Sequence, residues 1–152
     1  MPKIIISDTS CLIILNKIGE LDLLRQLYNT VTITHDILLE YGEQLPDWIA
    51  VQQAKDQYRQ QLLEMQIDKG EASAIALALE TADSTVILDD WKARKLAERL
   101  GLTVTGTLGV IIRAKNTGLI PSIKPYLEKI RETNFRISEE LEQIALKEAN
   151  EK

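Results

Sequence analysis

The residues of this chain best suited to do chemistry together are acids: Asp8, Glu40, Glu71 and the adjacent pair Asp89-Asp90. Asp8 follows the apolar run Ile4-Ile5-Ile6, and Asp89-Asp90 follow Val86-Ile87-Leu88, so these acids stand at the ends of short strands. Carboxylates gathered in one place raise one another's pKa values, and a cation relieves that cost. A donor set made only of hard oxygens selects Mg²⁺ or Mn²⁺. Such a site can activate water, clamp a scissile phosphate and stabilise the leaving oxygen of an in-line displacement. His35 is the one histidine and Cys11 the one cysteine, which argues against histidine acid–base chemistry, an internal disulfide and a multi-cysteine zinc site.

Each acid taken alone also has a purely structural reading. Asp8 precedes a helix and can cap it, and Asp89 or Asp90 can cap the helix beginning at Trp91. Asp68-Lys69-Gly70-Glu71 has the form of a capping box, with Glu71 reaching back from the third helical position. Glu40 can be a solvated helical acid. The chain has 23 acids, so the constellation, rather than any member, carries the chemical reading. Register does not decide whether Asp89 or Asp90 faces the others.

The elements that must position these groups alternate. Strands are expected at Lys3 to Ser7, Val31 to Thr34, Thr85 to Leu88 and Leu102 to Thr105. Helices are expected at Thr9 to Asn16, Glu20 to Tyr28, His35 to Tyr41, Lys69 to Thr81, Trp91 to Leu100 and from Gly106 to about Lys115. Gly42 stands where a C-cap glycine belongs. Leu45 to Ile49 reads as a turn with a short extended piece, and Gln52 to Met65 as a polar, largely exposed helix. Pro121 to Glu132 and Ser138 to Glu148 make two further helices. Short apolar strands alternating with helices give an α/β fold, a parallel sheet covered on both faces. Ligands of such sheets bind at the carboxyl ends of the strands, where Asp8 and Asp89-Asp90 lie. One domain over residues 1–152 is expected, its core at about 3–118 and a helical C-terminal extension at about 121–148.

Bulk properties fit this. The 152 residues suffice for one sizeable core, with 45% hydrophobic and 27% charged residues. No run approaches the roughly 20 apolar residues of a membrane span. MPKIIISD shows no secretory region, which predicts a cytoplasmic protein without a membrane partner. The net charge of −5 excludes nucleic-acid binding through a broad basic face, leaving a local basic rim or metal ions to meet phosphates.

Five segments together resemble the PIN-domain family, in particular its prokaryotic subgroup of predicted nucleic-acid-binding proteins, over about residues 3–148. They are the opening strand with Asp8-Thr9-Ser10, then Ile37-Leu38-Leu39-Glu40, then Lys69-Gly70-Glu71-Ala72-Ser73-Ala74-Ile75-Ala76-Leu77-Ala78. Val86-Ile87-Leu88-Asp89-Asp90 with Ala93-Arg94 and Ala97 follow, and Val104-Thr105-Gly106-Thr107-Leu108-Gly109 completes the series. The resemblance implies a three-layer α/β/α fold and a Mg²⁺- or Mn²⁺-dependent ribonuclease. It further implies metal ligation by Asp8, Glu71 and Asp90, with Asp89 beside them, a catalytic part for Glu40 and support from Ser10. Glu71 departs from the commoner family pattern, which has Asp there. By analogy to toxin nucleases the resemblance also implies RNA as substrate, an antitoxin protein as partner and a homodimer.

Other features have two readings each. Lys92, Arg94, Lys95 and Arg99 could contact an RNA backbone or form a solvated helix face, and Arg113 and Lys115 invite the same pair. Gly106 and Gly109 lack the Lys-Ser/Thr ending of a phosphate loop and read as a tight strand-to-helix turn. Cys11 reads as core, and Trp48 and Trp91 as packing residues or base-stacking platforms. Two other functions compete with the nuclease. One is a PIN-like binding module without activity. The other is a receiver-like phosphoacceptor domain, which needs an acidic pair directly after the first strand, where only Asp8 stands.

Overall fold

A computed structural model describes residues 4–152. Five strands form one all-parallel sheet: β1 (Ile4–Ser7), β2 (Val31–Ile33), β3 (Ile49–Val51), β4 (Ser84–Ile87) and β5 (Thr103–Thr105). Their spatial order is β3-β2-β1-β4-β5. The chain leaves β1 toward one edge, returns to the other side of β1 at β4 and continues outward. The sheet therefore has its switch point between β1 and β4, where ligands of open α/β sheets bind. The order also differs from the 2-1-3-4-5 order of receiver domains, which overturns the receiver-like reading.

Nine helices are described: α1 (Thr9–Lys17), α2 (Asp22–Tyr28), α3 (His35–Tyr41), α4 (Gln57–Leu63), α5 (Lys69–Leu79), α6 (Trp91–Arg99), α7 (Thr107–Asn116), α8 (Lys124–Arg131) and α9 (Glu139–Glu148). Side-chain caps by Asp8, Thr34, Asp56, Asp68, Asp90 and Ser138 start six of them. Gly42 closes α3 at φ 75°, the left-handed conformation expected of a C-cap glycine.

Two segments differ from the sequence reading. Ile49–Val51 is an edge strand that pairs in parallel with Val31–Ile33, giving five strands instead of four. Three residues behind a proline carry too short a pattern to announce a strand, and the pairing supplies the stability. The helix expected over Gln52 to Met65 shrinks to Gln57–Leu63. Upstream of it the N–H groups of Lys55 and Asp56 donate to the Glu80 carboxylate at 2.8 Å each, which fixes that stretch outside the helix. Nor is α4 merely a surface helix, because Gln60 and Leu63 are buried where it packs on α5. Lys3, expected to open the first strand, lies outside the described residues.

The centre of the molecule is α5. Gly70 and every residue from Ala72 to Ala78 are buried, so this helix is covered all round instead of on one stripe. Its alanines let α3, α4 and the sheet approach closely. Cys11 is fully buried in the same core, as expected. At the C-terminus α9 packs on α7, and the Lys115 ammonium donates to the Ala149 carbonyl at 2.7 Å. Among the described residues no helix is long and apolar enough to cross a membrane.

Candidate functional site

Asp8 leaves β1 at the switch point, and its carboxylate joins two chain segments. One oxygen accepts from the Cys11 N–H at 2.9 Å, capping α1, and the other from the Asp89 N–H at 3.1 Å, beyond β4. The side chain is almost wholly buried. Burial pushes its pKa well above the usual carboxylate range, the nearby Asp89 and Glu71 charges add to the rise, and the two amide donors oppose it. Each oxygen retains a further lone pair for a metal. The capping and chemical readings of Asp8 are therefore compatible.

Asp89 and Asp90 divide their tasks. Both oxygens of Asp89 hold the start of α7: Oδ1 accepts from the Thr107 N–H at 2.8 Å and Oδ2 from the Thr107 hydroxyl at 2.6 Å. Asp90 caps α6 through one oxygen, which accepts from the Ala93 N–H at 3.0 Å, and is exposed. The Asp89 charge contributes to the rise at Asp8, and the Asp90 charge to the rise at Glu71.

Glu71 stands in the first turn of α5. Asp68 caps the helix by accepting from the Glu71 N–H at 2.8 Å. The reciprocal approach of the Asp68 N–H only partly offsets the forces acting on the Glu71 carboxylate. Partial burial, followed by the Asp68, Asp90 and Glu40 charges, raises its pKa to about 7. Glu40, near the end of α3, accepts a short hydrogen bond from the Thr9 hydroxyl. Its carboxylate rests over Gly70, where an added Cβ would come within 2.8 Å of Oε1. A chain of hydroxyls locks α3 to α5: the Thr34 and Ser73 oxygens lie 2.6 Å apart, and Ser73 donates to the Gly70 carbonyl at 2.7 Å. Glu40 and Glu71 thereby keep a fixed relation.

Asp8, Glu40, Asp68 and Glu71 line a cleft of about 390 Å³. The ion pairs among the described residues involve none of these four acids, nor Asp89 or Asp90. The donor chemistry suits Mg²⁺ or Mn²⁺: hard oxygens, negative charge without ion-pair partners, and carboxyls pushed toward protonation by burial first and then by one another's charge. Among the described residues no group of three or more His, Cys, Asp or Glu side chains converges tightly enough to enclose an ion. Mg²⁺ is ordinarily held by one or two carboxylates with waters and substrate phosphates completing its shell, so an open arrangement of this kind fits it better than a closed cage does.

The remaining sequence candidates fall elsewhere. Ser10 lines the cleft, yet the hydroxyl that orients an acid belongs to Thr9. Arg94 is half-buried and donates to the Leu88 carbonyl at 2.9 Å, bracing the end of β4. Lys95 pairs with Glu98 at 3.8 Å and sits 5.7 Å from the Trp91 ring centre, while Lys92 is exposed. Trp91 stands out into solvent and Trp48 packs against the core. Gly106 is required by packing, since a Cβ there would meet the Arg94 guanidinium at 2.6 Å and Asp89 Oδ1 at 3.0 Å. Sequence reasoning missed Thr9 and Thr107 as positioning groups, and Lys17, Asn134 and Phe135 as cleft residues. Thr9 carried a signal, its place in Asp8-Thr9-Ser10; Asn134 and Phe135 carried none.

No curated protein and no solved structure matches the chain. The family model described as DUF3368, PIN domain, matches residues 4–151. PIN domains are in general nucleases that use divalent metal ions. With five parallel strands, the acids at the switch point and a match over nearly all of its length, this chain belongs to the PIN-domain family.

Proposed function

We propose that the protein is a Mg²⁺- or Mn²⁺-dependent endoribonuclease that hydrolyses phosphodiester bonds at the cleft holding Asp8, Glu40 and Glu71. The observation that carries this reading is a set of carboxylates around the β1–β4 switch point with which no cationic side chain among the described residues forms an ion pair. A divalent ion supplies the missing positive charge, polarises a phosphate and lowers the pKa of water. In this reading Asp8 and Glu71 take the ion in the cleft, Asp90 and Asp89 act on it through bound water, and Ser10 stands at the margin. Glu40, held by Thr9, orients the attacking water. Asp89 keeps Thr107 and the head of α7 in place, and Lys92 and Lys95 lie on the side from which RNA backbone approaches, with Arg94 behind them.

Purified protein is expected to cleave single-stranded RNA with Mn²⁺ or Mg²⁺ and to stop on chelation. Full activity in an Asp8→Ala variant would sink the mechanism. The exposed side chains of Tyr58 and Leu62 on α4 and of Met65 just beyond it support a protein-binding surface. An antitoxin or a second copy of the chain is the partner that belongs with this reading, and the cytoplasm is its setting.

A second reading is an inactive PIN-like module working through a partner. It is favoured by the acids not converging as a closed cage and by the hydrogen bonds already made by Asp8 and Asp89. Mn²⁺ titration separates the two. Binding that is lost in Asp8→Ala supports the nuclease, and absence of binding supports the inactive module.

A further inference from the structure

Besides the acids, the cleft has a further wall to which metal-dependent hydrolysis gives no task. It is formed by Ile13, Ile14 and Lys17 of α1 and by Asn134 and Phe135 of the loop between α8 and α9. Phe135 is the only phenylalanine of the chain and is half-buried, its inner part packed on the core. The loop is held in place, because the Thr133 hydroxyl accepts from the Phe135 N–H at 3.1 Å and donates to the Ile130 carbonyl at 2.6 Å. Next to it Asn134 is exposed, offering an amide that can both donate and accept.

The charges around this wall are sorted. Lys129 and Arg131 are engaged by Glu20 and Glu142. Lys17 and Arg136 are exposed, and neither makes an ion pair with a described residue. Lys17 borders the acid cleft as well as the neighbouring hollow under Asn134. Lys17 and Phe135 thus line the same cleft as the acids.

An aromatic face, an adaptable amide and flanking cations are the groups that bind unpaired bases and the backbone joining them. Duplex bases cannot be splayed onto such a wall, whereas those of a single strand can. We propose that Phe135 and Asn134 form a nucleobase subsite for single-stranded RNA, with Lys17 taking a neighbouring phosphate, so that one nucleotide is gripped beside the acid cluster. The subsite deepens the ribonuclease reading and rests on it for the identity of the strand.

The test separates binding from cleavage. A short fluorescent single-stranded RNA is titrated into protein carrying Asp8→Ala, with and without Phe135→Leu, and the same Phe135 substitution is assayed for Mn²⁺-dependent cleavage in the otherwise native chain. Leucine keeps the apolar packing and removes the aromatic face, and circular dichroism verifies the fold. Loss of one stacked base is expected to weaken binding roughly 5- to 100-fold and to raise KM more than it lowers kcat, with Phe135→Tyr restoring both. Lys17→Ala is expected to lower the slope of log affinity against log salt by about 0.7. If the native chain cleaves RNA while Phe135→Leu alters neither affinity nor KM, the subsite is wrong and the nuclease stands. If the native chain does not cleave but Phe135→Leu still weakens RNA binding, the subsite stands and the nuclease falls. Absence of any single-strand affinity overturns the subsite and leaves the wall to a protein segment.

Discussion

In the lining of the cleft every acid hangs from a regular element or its cap. Asp8 ends β1, Asp68 and Glu71 begin α5, and Glu40 stands near the end of α3, with Thr9, Thr34 and Ser73 fixing their relations. By contrast Asn134 and Phe135, which line the same cleft, sit in a loop between α8 and α9, held mainly through Thr133. The acid wall concentrates like charges that resist being close, so rigid elements must hold them there. The wall at Asn134 and Phe135 carries no such repulsion, and a loop suffices. Carboxylates placed this way suit a task that tolerates little movement, such as holding an ion, while a loop-borne aromatic can adjust to different bases.

This contrast can be broken most sharply at Asp8. Asp8→Ala should reduce Mn²⁺-dependent RNA cleavage by at least about 100-fold, the upper range for disturbing even an indirect metal contact. Steady-state assays check it, and no substitution in the Asn134-Phe135 loop should come near that effect on kcat.

The next largest effect concerns stability. Asp89→Ala leaves the buried Thr107 N–H and hydroxyl without their acceptors and should cost roughly 2–3 kcal/mol. Asp90→Ala removes only an exposed cap and should cost about 1 kcal/mol. Urea unfolding would measure both, and equal losses would mean that the two aspartates do not divide their tasks as described.

A smaller effect depends on pH. Glu71 has its pKa raised from 4.5 to about 7, so the folded state binds this proton more tightly than the unfolded chain does. Its stabilising contribution is full below about pH 4.5 and is lost as pH rises through about 7. Asp8 acts with the same sign, above the usual carboxylate range. The Tm of metal-free protein should therefore fall across that window relative to Glu71→Gln, by an amount reduced by the partial exposure of Glu71. Saturating Mn²⁺ should remove the difference if the cluster binds it. The smallest expected effect is in that loop, where Asn134→Ala should change stability by less than about 0.5 kcal/mol.

How legible these walls were differs for physical reasons. Asp8 and the Asp89-Asp90 pair stood out because an apolar run ending in an acid marks a strand end, and parallel sheets bind ligands there. Glu71 was placed by the Gly-Glu-Ala segment, and Glu40 only by resemblance to a family. The fifth strand was invisible because three residues on a sheet edge hold their shape through pairing with β2. Arg94 looked like one more cation on a basic helix, and only its bond to the Leu88 carbonyl shows that it braces the sheet end.

The sequence by itself determined the alternation of strands and helices, the caps at Asp8 and Asp68, the burial of Cys11 and the family, since each of these rests on local pattern or on motifs read in order. Tertiary structure alone decided that β1 and β4 are neighbours, that Asp89 is tied to Thr107 while Asp90 is exposed, and that Phe135 lines the same cleft as Asp8, more than a hundred residues earlier in the chain. Those are relations between segments, and segments separated along a chain are brought together by burial and hydrogen bonding that no local spacing encodes.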